Sequence, residues 1–243
     1  MKLSNEDLIS FERLDYSISS HIEEISKELA DHFKVRRPYV SEFCSLVKTS
    51  KRWDTNNVTV KLDRWKIQME KFNGSKKIID IVKRAFESCT TNDEISSLRG
   101  AMVEALVIGC FGGEINLSKT NYGWGARVDI NVIGEPVREV VYKCKIKKEP
   151  DCKNRSTVDF GYWDGLHGKF FECKVQPVSI GCKEVSYMKH LKEELEEHKV
   201  SHEIFFVCAE HSDEIKIKLE MYGLSPLYKA VGVQELVSMM KAS

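Results

Sequence analysis

The sequence predicts an α/β protein: a mixed central sheet flanked by helices, with a mainly helical N-terminal region ahead of it. Three observations carry that expectation. Residues 1–90 hold apolar positions at helical spacing. From Thr91 onward alternating segments appear, and the last third switches between helical and strand patterns. Such alternation builds a sheet covered by helices.

In the N-terminal region, "LDYSISSHIEEISKELADHF" places Ile18, Ile22, Ile25 and Leu29 along one helix face. Pro38 closes that segment and "PYVSEFCSLVKTS" opens another. "RWKIQMEKF" and "KKIIDIVKRAFESC" follow, parted by the turn signal "NGS". Residues 58–62, "VTVKL", are also compatible with a short strand. In "TNDEISSLRGAMVEALVIGCFGG" a cap at Thr91 or Asn92, acids in the first turn and glycines past the end define a long helix. Three strand-like segments come next: "ARVDINVIG", "VREVVYKCKI" and a hairpin over "TVDFGYW…KFFECKV". "SYMKHLKEELEEHKV" is amphipathic, "EIFFVCA" reads as a fully buried strand, and "DEIKIKLEMYG", "LYKAVGV" and "QELVSMM" supply a helix, a strand and a last helix. The expected division is a helical region over 1–90, binding substrate or a partner, and an α/β core over 91–243.

Composition narrows the function classes. The 42% hydrophobic content supports a real core. Lys plus Arg and Asp plus Glu both total 37, so the chain is not coated in positive charge, although local basic patches remain open. No apolar run approaches the roughly 20 residues that span a bilayer. With an N-terminus unlike a secretory signal, this predicts a soluble cytoplasmic protein without membrane contact. Eight cysteines occur without any C-x-x-C pair. They read as reduced, mostly buried thiols, and Cys144, Cys152, Cys173 and Cys182 form only a weak zinc set.

The informative stretch is "VDFGYWDGLHGKFFECKV", residues 158–175. Side chains alternate faces along a strand, so Glu172 and Lys174 share one face and Cys173 takes the other. A turn at Gly165–Leu166 sets Asp159 opposite Glu172, with Cβ atoms about 5 Å apart. Phe160 and Tyr162 then join Phe171 and Val175 on the apolar face. A three-residue turn would pair Asp164 with Glu172 instead. The first register sorts acids from aromatics and leaves Asp164 as a turn residue. Two carboxylates that close repel unless a cation lies between them. The tripeptide Glu-x-Lys occurs three times in the chain, but only Glu172–Lys174 lies on an apolar strand beside an acid-bearing one.

An aspartate on one strand, Glu-x-Lys on the next and a preceding helix with an inward acid together resemble the PD-(D/E)XK, or restriction-endonuclease-like, nuclease superfamily. The resemblance covers about residues 94–210. It implies a core of helix, three strands, helix and strand, and a Mg²⁺-dependent nuclease, with Mn²⁺ as a substitute. By the resemblance, Asp159 and Glu172 bind the metal, Lys174 serves the nucleophilic water, and Glu104 takes the place of the helix glutamate. Val158 stands where many members carry proline, and one extra strand precedes the hairpin. DNA ranks ahead of RNA as the implied substrate, and defence against foreign DNA is a family habit.

Further residues enter as substrate contacts. Gln176 shares the face of Lys174, and Lys183 opens the helix after the hairpin, where a phosphate can sit at the N-terminus. Residues 34–66 carry nine basic residues, including Arg36, Arg37, Lys51 and Arg52, against three acids, with Tyr39, Trp53 and Trp65 interleaved. "YKCKIKKEPDCKNR" is a second basic cluster. This pattern serves phosphate contact and stacking, and it would equally serve a protein partner or a homodimer. The competing class is a catalytically inactive nuclease fold acting as a nucleic-acid-binding or assembly subunit.

Overall fold

A computed structural model describes residues 7–14, 18–35, 38–144 and 154–242. Seven strands and eight helices occur among them. Arg36, Arg37, Cys152 and most of the second basic cluster lie outside the described residues. In chain order the strands are β1 (Ile9–Arg13), β2 (Tyr122–Ile130), β3 (Arg138–Glu139), β4 (Val158–Trp163), β5 (His167–Lys174), β6 (Ser201–Cys208) and β7 (Lys229–Val231). The helices are α1 (Ser20–Val35), α2 (Val40–Thr49), α3 (Val58–Met69), α4 (Lys76–Glu87), α5 (Asn92–Cys110), α6 (Cys182–Glu197), α7 (Ser212–Met221) and α8 (Val233–Ala242).

The sheet is open and mixed, ordered β1-β2-β4-β5-β6-β7, with β3 paired to β2. The strands from β1 to β5 are antiparallel to their neighbours, whereas β5, β6 and β7 run parallel. Alternation along the strands divides the core between two faces. Phe160, Phe171, Phe205 and Val207 join the core built by α1 to α5 and α8. Trp163, Phe170, Phe206 and Cys208 join the core under α6 and α7. On the first face the Phe171 and Phe205 rings stack at 4.5 Å.

Helix α5 starts as its capping residues require. The Thr91 hydroxyl accepts from the Glu94 N–H at 3.1 Å, and the Glu94 carboxylate accepts from the Thr91 N–H at 3.2 Å. "VTVKL" belongs to α3 rather than to a strand, with Val58, Leu62, Trp65 and Met69 buried at helical spacing.

Two expectations need correction. The N-terminal region also contains a strand, because Ile9–Arg13 pairs along β2 at the sheet edge. A five-residue strand is marginal alone and forms only with its partner, so local pattern does not reveal it. Among the described residues of "VREVVYKCKI", which end at Cys144, only Arg138–Glu139 is strand, and an isolated bridge joins Tyr142 to Arg155.

Candidate active site

The β4–β5 hairpin has the register that sorts acids from aromatics. Phe160 faces Phe171 and Trp163 faces Gly168, so the turn is the two-residue Gly165–Leu166 loop. Gly165 has φ 94°, a left-handed value that an L side chain resists, as the first position of a II′-type hairpin requires. The Asp164 carboxylate accepts from the N–H groups of Leu166 and His167 at 2.8 and 2.7 Å. Asp164 is therefore a turn residue.

Asp159 sits where the ladders break. The β4–β5 pairing ends at Phe160–Phe171, and the β2–β4 pairing passes from Trp124–Phe160 to Ala126–Val158 without the intervening pair. Gly125, across from Asp159 in that register, has φ 55°, which frees the backbone to kink. Where the strands splay, the Asp159 carboxylate substitutes for the ladder and accepts the Cys173 N–H at 2.6 Å. Its other oxygen accepts from Arg155 Nη2 at 2.9 Å.

Glu172 is 1% exposed. Its Oε1 accepts from Lys174 Nζ at 2.5 Å and its Oε2 from Arg155 Nη2 at 2.6 Å. One guanidinium nitrogen thus bridges both carboxylates. Glu184, in the first turn of α6, lies 3.4 Å from Lys174 Nζ and 3.6 Å from Arg155 Nη1, and its Oε2 accepts the Gly181 N–H at 3.0 Å. Arg155 also packs over the Tyr187 ring, 5.8 Å from its centroid. Three carboxylates and two cations meet here between the sheet and α6.

The electrostatics follow from burial and from that imbalance. Burial pushes the Glu172 carboxyl up to about 7, although Arg155 and Lys174 oppose the rise. Burial works against the Lys174 ammonium, but the carboxylates of Glu172 and Asp159 outweigh it and hold its pKa above the ordinary value. Arg155 is likewise held above its usual value, with Glu172, Asp159 and Glu184 prevailing over desolvation. Lys174 is therefore a fixed cation here, which disagrees with the lowered pKa that base duty requires.

The remaining sequence-derived residues scatter. Glu104 accepts from the Trp124 indole N–H at 2.6 Å, a partner that answers the cost of a half-buried acid on α5. Among the described residues no three His, Cys, Asp or Glu side chains converge as a metal cage, so Glu104 does not complete one with Asp159 and Glu172. Gln176 Oε1 accepts from Lys51 Nζ at 3.0 Å. Lys183 is half-buried, 3.9 Å from Glu184. Trp163 is buried packing, and His167 contacts Ser201 at 2.8 Å. Of the weak zinc set, Cys173 is buried on the opposite core face and Cys152 lies outside the described residues. Arg155, Glu184 and Tyr187 complete the hairpin cluster. Glu184 had a signal, three residues past Gly181 in capping-box position, whereas Arg155 stands in a segment without periodicity.

No family model matches this chain, and no curated protein matches it. Among solved structures it is similar to protein VC1899 from Vibrio cholerae, at 12% identity and a TM-score of 0.39. That match covers 99% of this chain, which spans 60% of the other's length.

A divalent metal can be weighed against these residues directly. Asp159 and Glu172 offer hard carboxylate oxygens of the kind Mg²⁺ takes, and a site of one or two carboxylates completed by water is typical of that ion. The Arg155 nitrogen is a stand-in cation: a single positive centre touches both carboxylates at 2.9 and 2.6 Å. The donor set fits a metal, on the condition that Arg155 yields those oxygens.

Proposed function

We propose that the chain is a divalent-metal-dependent nuclease of the PD-(D/E)XK kind, hydrolysing phosphodiester bonds in DNA ahead of RNA at the β4–β5 hairpin. The observation that carries this reading is the meeting of Asp159, Glu172 and Lys174 at the splayed end of two strands. The order α5, β2, β3, β4, β5, α6, β6 supports it: with the two-residue β3, which lies off the main strand path, set aside, it is the helix, three strands, helix, strand order that the resemblance implies.

Asp159 and Glu172 would hold Mg²⁺ or Mn²⁺, which when bound supplies an activated water and neutralises charge on the phosphoryl oxygens. The chain's own groups do the rest. Lys174, kept cationic by Glu172 and steadied by Glu184, stabilises negative charge on a phosphoryl oxygen and orients a water beside it. Glu172 anchors the Lys174 ammonium. Arg155, on leaving the carboxylates, becomes a guanidinium free to pair with a phosphate.

A second reading has its own observation. Arg155 satisfies both carboxylates from within the chain, as a metal-free, inactive nuclease fold serving as a binding or assembly subunit would. Incubation with plasmid, linear duplex, single-stranded DNA and RNA, with and without Mn²⁺, separates the two. Metal-dependent cleavage that disappears in Glu172→Gln and Lys174→Ala supports the nuclease; full activity in either variant rules out this hairpin as its centre.

A further inference from the structure

At one end of the sheet the chain builds a second charged feature of the opposite kind. A cavity of about 710 Å³ is lined by Lys51, Arg52, Lys61, Arg64, Trp65 and Gln176 together with Trp53 and neighbouring residues of α2 and α3. Among the described residues no acidic side chain lines it. Lys61, Arg64 and Gln68 reach it together because positions three, four and seven apart share a helix face. Lys48 also borders the cavity but is held by buried Glu210, and Lys66, outside the lining, pairs with Glu70 at 3.7 Å. Among the described residues Lys51, Arg52, Lys61 and Arg64 have no ion pair. Four uncompensated cations in one concavity create a field that asks for a multivalent anion.

The cavity adjoins the hairpin. The Lys51–Gln176 hydrogen bond closes one wall, and Gln176 stands two residues past Lys174, within about 7 Å of extended chain. Glu210, which holds Lys48, follows the end of β6 in the same way. Ligands of open α/β sheets gather outside the carboxyl ends of parallel strands, and β5 and β6 are such a pair. The wall is also aromatic: Trp53 is half-buried against Phe86, with ring centroids 4.9 Å apart, and its remaining surface borders the cavity. Unpaired cations beside an aromatic ring are the combination that tracks a single strand, phosphates on the charges and a base on the ring.

We propose that this cavity holds one strand of nucleic acid by its phosphates, on Lys51, Arg52, Lys61 and Arg64, and leads it towards Glu172 and Lys174. The direction of the strand rests on the nuclease reading of the hairpin; the binding does not. The half-buried Trp53 ring offers a stacking face that an unpaired base can use and a base already stacked in a duplex does not, so the occupant is a single strand.

The test is anisotropy of a labelled 12-nucleotide single-stranded DNA with the full chain in EDTA, where no cleavage interferes. Lys61→Ala/Arg64→Ala should bind at least about ten-fold more weakly. Its slope of log K against log salt should be shallower by about 1.4, two phosphates at about 0.7 each. The control pair Lys76→Ala/Lys77→Ala on α4, away from the cavity lining, should keep affinity and slope. Unchanged binding in the cavity variant, equal loss in the control, or a duplex of the same sequence bound as tightly as the strand would each overturn the proposal. A wild-type chain that binds through the cavity yet cleaves nothing removes the nuclease reading alone. One that cleaves while the cavity variant binds normally removes the cavity assignment alone.

Discussion

The hairpin cluster and the α2–α3 cavity handle charge in opposite ways. At the hairpin, Asp159, Glu172 and Glu184 meet Arg155 and Lys174 in a buried space, and nearly every charge is answered from inside the chain. In the cavity, cations face solvent with no acid among the described lining residues. Burial explains the contrast. A charge removed from water must be paired at once, whereas an exposed one can wait for an external partner. The first arrangement therefore sets the energetics of the fold, and the second sets what the molecule attracts.

That contrast breaks most visibly at Arg155. Arg155→Ala leaves Asp159 and Glu172 facing each other without their bridging cation and should cost about 3–5 kcal/mol of stability, measured by urea unfolding. A loss below about 1 kcal/mol would mean that the two carboxylates are solvated or protonated without it. If the carboxylates also accept a metal, Mn²⁺ should restore more stability to this variant than to wild type, since the competing guanidinium is gone.

The next effect is pH dependence. Glu172 has a folded pKa of about 7, against roughly 4.3 for an unperturbed glutamate. Because the folded value is the higher one, the proton contributes stability that is complete below the unfolded pKa and lost as pH rises through about 7. Wild type should therefore lose stability relative to Glu172→Gln between pH 5 and pH 8, by about 3 kcal/mol at most. Metal affinity should move the other way, rising as Glu172 gives up its proton. A constant stability gap between the two proteins across that range would place the titrating proton elsewhere.

The two hairpin aspartates sharpen the comparison further. Asp159→Asn should weaken Mn²⁺ binding in calorimetry, because Asp159 bonds both Arg155 and the Cys173 N–H at the splay point. Asp164→Asn should leave metal binding intact and cost only about 1 kcal/mol through its turn hydrogen bonds. Metal binding lost only in the Asp164 variant would contradict the site. The smallest effect belongs to the cavity: Lys61→Ala/Arg64→Ala should leave the unfolding midpoint in place while altering nucleic-acid binding, since no internal partner is lost. A clear drop in the midpoint would show that these cations serve the fold instead.

Several features were legible in the sequence because they depend on spacing within one element. The Thr91–Glu94 capping box, the amphipathic faces and the hairpin register that runs from Phe160–Phe171 to Trp163–Gly168 are consequences of period and parity, whereas the splay at Asp159 is not. Alternation also placed Phe160 and Phe171 on the face opposite the acids, and their rings lie 5.7 Å apart. Only the tertiary structure decided which cation lies between the carboxylates. Arg155 reaches Glu172 from 17 residues away out of a segment with no pattern of its own. The same holds for Trp124 on Glu104, for β1 on the sheet edge, and for Lys51 on Gln176, 125 residues apart. Alternation along a strand fixes the face on which a side chain emerges, but the partner it meets there is set by chain segments brought together only when the sheet and its helices pack.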